Sequence, residues 1–69
     1  MEFQAGQRVR LNLAGFMVGG VGFGSAVTDA LASVVRKISD EPSVYLVQLV
    51  FSFKGLSQVE VPAERIRPA

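Results

Sequence analysis

The sequence contains no cysteine and no histidine. Without cysteine no disulfide can staple the chain, and no thiolate can hold zinc. Without histidine the commonest metal ligand and the commonest general base at neutral pH are missing. Charge is scarce too: 19% of residues are charged, against about 25% in a typical soluble domain. The net charge of +1 exerts little pull on nucleic acid or an anionic membrane. What the chain has instead is apolar surface, with 49% of its 69 residues hydrophobic. A single domain of this length buries only about 60% of the surface its unfolded form exposes. Such domains reach ordinary stability with a disulfide, a metal or oligomerisation. With the first two stripped of their usual ligands, self-association into a dimer or tetramer is the expected staple. No cofactor is expected. Absence of cysteine fits a reducing compartment, so a cytoplasmic location is the expectation.

The chain is organised around Ser43 to Lys54, SVYLVQLVFSFK. Strand side chains alternate between two faces, and here the alternate residues Tyr45, Val47, Leu49, Phe51 and Phe53 make one unbroken apolar row. That row is assigned to the core. The opposite row, Val44, Leu46, Gln48, Val50, Ser52 and Lys54, is apolar at its start and polar at its end. It needs a cover, either from the same chain or from another molecule.

Upstream, Val9, Leu11 and Leu13 alternate with Arg8, Arg10 and Asn12, which reads as a strand over 7–13 with one wet face. Residues 14–24 are glycine-rich and apolar at once. Glycine permits positive φ and close backbone approach, so this stretch reads as a loop. Residues 25–40 are ambiguous. Val27, Leu31, Val34, Val35 and Ile38 have helical spacing, with Ser25 as a cap and Pro42 as a stop. A β-branched run over 33–38 followed by Ser39-Asp40-Glu41-Pro42 instead reads as a strand feeding a hairpin. The strand is preferred, with a helical turn near 27–31; the alternative is an α+β fold with a helix over about 26–39. Gly55 breaks the central strand. Val59 and Val61 face inward on a further strand over 57–61, which Pro62 ends for want of an amide hydrogen. Ala63-Glu64-Arg65 fits one tight helical turn, Ile66 anchors, and 67–69 fray.

One segment is long enough to span a bilayer, Phe16 to Val35, and it overlaps the pairs Gly15/Gly19 and Gly20/Gly24 at small-residue membrane spacing. Five glycines between 15 and 24, with Thr28 and Asp29 inside the span, argue against a membrane helix. A signal peptide is not expected either: the acidic Glu2 precedes the basic Arg8 and Arg10, and the apolar run starts late.

In the order of its parts the chain resembles the SH3-like barrels of bacterial proteins. The likeness lies in Gly6-Gln7-Arg8-Val9-Arg10-Leu11, Val34-Val35-Arg36 and Val61-Pro62-Ala63-Glu64-Arg65-Ile66. It implies an all-β fold, one small barrel over residues 1–69 with a long first loop, in which the first and last strands pair. Within that class the sequence is similar to the plasmid-type, trimethoprim-insensitive dihydrofolate reductases at Gly6-x-Arg8-Val9-Arg10 and at Pro62 with Glu64-Arg65-Ile66. Those enzymes, often carried on mobile gene cassettes, are tetramers with one active pore lined by four subunits. Their chemistry lies in a Val-Gln-Ile-Tyr run before the proline and a lysine directly after Arg-Val-Arg. Here those positions hold Gln58-Val59-Glu60-Val61 and Leu11, so neither feature carries over, and Glu60 would repel an anionic folate.

No other enzyme motif emerges. Gly20-Val21-Gly22-Phe23-Gly24 places its third glycine one residue too early for a dinucleotide fingerprint. Asp40-Glu41 before a proline reads as a solvated turn. The expected role is a non-enzymatic interaction module. Its interface would use Phe16, Met17, Val18, Val21 and Phe23 from the glycine-rich loop with Val44, Leu46 and Val50 from the outer strand row; in the opposing reading the loop folds back over the strand within one chain. A second reading is a ligand-binding or catalytic pore at a symmetry axis, with Gln48 as the first polar group to face it. A third is a weak nucleic-acid surface using Arg8, Arg10 and Arg65 together with Arg67. That reading lacks outward aromatic platforms, because the aromatic residues of the central run fall in the core row and Phe3 alone is left loose.

Overall fold

A computed structural model describes residues 2–18, 20–53 and 55–69, and of Phe53 the backbone only. The fold is all-β. Seven strands form in order: β1 (Arg8–Leu11), β2 (Met17–Val18), β3 (Val21–Gly22), β4 (Ala30–Asp40), β5 (Ser43–Phe53), β6 (Leu56–Pro62) and β7 (Ile66–Pro68), with a 3-10 turn at Ala63–Arg65. Five of them make an antiparallel sheet in the order β6-β5-β4-β1-β7, while β2 and β3 pair with each other alone. The ladder does not close on itself: β6 and β7 stand at its two edges.

The inner face follows from alternation. Val9 and Leu11 of β1, Ala32 and Val34 of β4, Tyr45, Val47 and Leu49 of β5, and Val59 and Val61 of β6 are buried, joined by Leu13 and Ile66. Tyr45 sits at the centre, opposite Lys37 on one side and Val61 on the other. Its ring meets Phe3 edge to face at 5.5 Å between centroids. Its hydroxyl accepts a hydrogen bond from the Phe3 amide at 3.2 Å and donates to Glu2 Oε1 at 3.4 Å. Phe3 is 6% exposed, so the expectation of a loose Phe3 is corrected. An aromatic partner was waiting on β5, and the segment from Gln4 to Gln7 turns back on itself to deliver it.

Three further expectations change. The helical reading of 26–39 is overturned: β4 is one strand of eleven residues, and the turn before it, at 25–26, does not continue into a helix. Two bulges, between Val34 and Arg36 and between Lys37 and Ser39, explain the misleading spacing. The residues facing the β5 core row are Ala32, Val34 and Lys37, so a period of two becomes a step of three midway along the strand. Second, residues 67 and 68 do not fray. Arg67 pairs with Arg10 and Pro68 with Val9 as β7 joins β1, the pairing that the family likeness implies. Third, the row from Tyr45 to Phe53 is not core throughout. Phe51 is 81% exposed. The β4–β5 register runs between Ala32–Leu49 and Asp40–Ser43, and the β5–β6 register is irregular between Gln48 and Phe53. Among the described residues, Phe51 therefore lies beyond the regular pairing of β5 with its neighbours. The Phe53 side chain and Lys54, which complete the expected rows, lie outside the described residues, as does Gly19 of the glycine pairs.

The glycine-rich stretch is more regular than a loop. Met17 pairs with Gly22 and Val18 with Val21 in a short hairpin, tied at its base by the Phe23 amide donating to the Phe16 carbonyl at 2.8 Å. The span from Phe16 to Val35 thus holds this hairpin, the 23–29 connection and the first half of β4. Among the described residues no helix is long and apolar enough to cross a membrane.

Candidate functional site

The outer side of β5 carries the first candidate surface. Val44 and Leu46 are half-buried, Gln48 is exposed, and Val50 is 41% exposed. Alternation with the buried Tyr45, Val47 and Leu49 puts all four on the side away from the core. Their β6 neighbours are Pro62 opposite Val44, Glu60 opposite Leu46 and Gln58 opposite Gln48. The two amides meet, with Gln58 Nε2 donating to Gln48 Oε1 at 3.3 Å. On the β4 side, Arg36 stands opposite Leu46 and Ser33 opposite Gln48. The face is a mixed surface: an apolar stripe along β5 interrupted by one amide pair.

The residues expected from the glycine-rich stretch divide. Met17 is 77% exposed at the hairpin, whereas Phe23 is 5% exposed and belongs to the core of its own chain. Phe16 and Val18 are partly buried against that core, and Val21 is half-buried. The hairpin forms a separate two-stranded ladder, so the expected interface draws on two elements, the hairpin and β5.

The arginines also separate. Arg10 and Arg67, cross-strand neighbours, share the carboxylate of Asp29: Arg10 Nη1 lies 3.4 Å from Oδ2, and Arg67 Nη2 bonds Oδ1. Arg65 Nη1 donates to the Ala14 carbonyl at 3.4 Å, and its guanidinium lies over the Phe16 ring at 4.8 Å. Arg8 is exposed beside Ser33. Arg8, Arg10 and Arg67 therefore share the outer face of β1 and β7, while Arg65 is engaged apart from them, at Ala14 and Phe16. An outward aromatic does exist in Phe51, which the alternation rule had placed inside.

At the far end of β5 the structure opens a cleft of about 380 Å³. Leu13, Phe23 and Leu49, all core residues, form its floor, Val27, Ala30 and Leu31 add apolar wall, and Phe51 with the Arg10–Asp29 pair completes the lining. No sequence signal marked it, because its residues come from β1 and the segment just after it, the hairpin base, the 25–29 turn, β4 and β5.

Elsewhere the polar groups support the fold. Lys37 Nζ bonds Glu2 Oε2 at 2.8 Å and Asp40 Oδ1 at 2.9 Å, above the Tyr45 ring at 5.7 Å. Hydrogen bonding from Lys37, and then its charge, hold the Glu2 carboxyl below its ordinary range; the two carboxylates in turn raise the Lys37 ammonium. Among the described residues no group of three or more acidic side chains could hold a metal ion. The stretch 20–24 runs from a turn into β3 and has no helix after it, unlike a dinucleotide-binding turn. No family model matches the chain, and neither does any curated protein or solved structure.

Proposed function

We propose that this chain is a small SH3-like barrel acting as an interaction module, and that it assembles with further copies of itself through the outer face of β5. The strand order β6-β5-β4-β1-β7 with a 3-10 turn before the last strand supports the barrel reading. The observation that carries the assembly is the apolar stripe of half-buried Val44 and Leu46 and exposed Val50, on the outside of a chain with no cysteine to staple it. The accessible surface is 4217 Å², and a standard interface takes about 800 Å² from each partner. A second reading rests on the Gln48–Gln58 amide pair in the middle of the stripe: a symmetry axis passing over it makes a polar-lined pore that takes a small ligand. A thermal-shift screen against nucleotides, folates and organic cations tests that pore.

The assembly reading is tested with Leu46→Lys and light scattering. Leu46 is half-buried and outside the core, so the variant keeps its circular dichroism spectrum. Wild type runs as a dimer or tetramer, with a melting temperature that rises with protein concentration, and the variant runs as a monomer. A wild-type chain that stays monomeric when concentrated overturns the reading.

A further inference from the structure

We propose that the cleft beside Phe51 binds a small aromatic acid, with its ring system on the apolar floor and its anionic group at the Arg10 guanidinium. The volume of about 380 Å³ lies at the small end of ligand pockets, which run from about 300 to 1,000 Å³. The floor is apolar, and aromatic rings stand on two sides of the cleft, Phe23 at its base and Phe51 at its mouth. Stacked and edge-to-face ring contacts favour an aromatic guest over an aliphatic one.

The charge at the rim selects an acid. Two guanidiniums share the single carboxylate of Asp29, which leaves one positive charge over. Arg10 lies 3.4 Å from Asp29 Oδ2 and its side chain is 40% exposed, so it can turn toward a ligand while Arg67 stays on Asp29. Arg8 stands two residues away on the same side of β1 and adds to the positive potential. A planar carboxylate matches the guanidinium fork in shape as well as in sign. The cleft is complete within one chain, so this site does not depend on self-association.

The test uses amide NMR shifts of the labelled wild-type protein titrated with 2-naphthoate and, separately, with the uncharged 2-naphthalenemethanol. Naphthoate should shift resonances of Phe23, Asp29 to Leu31 and Leu49 to Phe51, and bind about tenfold more tightly than the alcohol, the size of one charge-assisted hydrogen bond. Arg10→Gln should erase that preference. Phe51→Ser, at an exposed position that leaves the core intact, should weaken both ligands; Ala30→Phe, which fills the cleft, should abolish binding of both. Equal affinity for the two ligands, shifts confined to the β5 outer face, or no shift at millimolar ligand each overturn the proposal. So does a ligand-free dilution series whose shifts centre on Phe51, because the cleft is then filled by a second copy of the chain.

Discussion

At the scale of single residues, Tyr45 is the joint through which the segment before β1 is held to the sheet. Its hydroxyl takes the Phe3 amide and reaches Glu2, while Lys37 covers its ring. Tyr45→Phe keeps the ring contact and leaves the buried Phe3 amide unpaired, at a cost of about 1 to 3 kcal/mol. For a domain of this size each kcal/mol moves the melting temperature by about 4 to 8 °C, so thermal denaturation resolves the loss easily. The neighbouring Glu2 carries a pH dependence whose sign is fixed. A carboxyl held low in the folded state stabilises above its unfolded value, and that contribution disappears as pH falls through its folded value. The stability gap between wild type and Glu2→Gln should therefore be full near neutrality and close below about pH 4, measured by urea denaturation at stepped pH. A gap that stays constant down to about pH 2 would refute the Lys37–Glu2 account. Little of this could be read in advance: Phe3 and Tyr45 are 42 residues apart, and no periodicity links them.

At the scale of elements, what was legible depended on how regular each strand is. In β1 and β6 the alternation of valine and leucine with polar residues matches the buried positions one for one. The turn at Ala63–Arg65 follows Pro62 where the sequence placed it. In β4 the two bulges hid the strand by shifting its phase, and at the end of β5 the loss of regular pairing left Phe51 outside despite its position in the row. Alternation reports which way a residue points, and burial also needs something to point at. The cleft was invisible for a related reason, since residues spread from Arg10 to Phe51 over several segments build it. The β5–β6 turn offers a test of backbone geometry. Gly55 has φ +81° with open space where a Cβ would stand, so Gly55→Ala should cost about 1 kcal/mol through conformation alone. Gly24 is equally open and lies outside that backbone region, so Gly24→Ala should be neutral or slightly stabilising. Equal losses in the two variants, read by chemical denaturation, would show that local packing decides the matter.

At the scale of the whole molecule, the exposed large apolar side chains among the described residues are Met17 on the hairpin, Ile38 of β4, Val50 on the outside of β5 and Phe51 at the cleft mouth. The interface expected from the sequence draws on two elements, the hairpin of the separate β2–β3 ladder and the outside of β5. Leu46→Lys probes the strand, and Met17→Ser probes the hairpin independently. Should dissociation follow the hairpin change and not the strand change, the assembly runs through the other patch.

The two borders of the five-stranded sheet are unlike. Along β7 only three residues run, the last of them Pro68, which has no amide hydrogen to offer; along β6 six successive residues before Pro62 retain theirs. If a neighbour's β6 were ever zipped alongside this one, both remaining margins of the doubled sheet would be proline-blunted. Lateral growth would halt at a pair, and a chain this greasy would be spared from polymerising into fibres by that route.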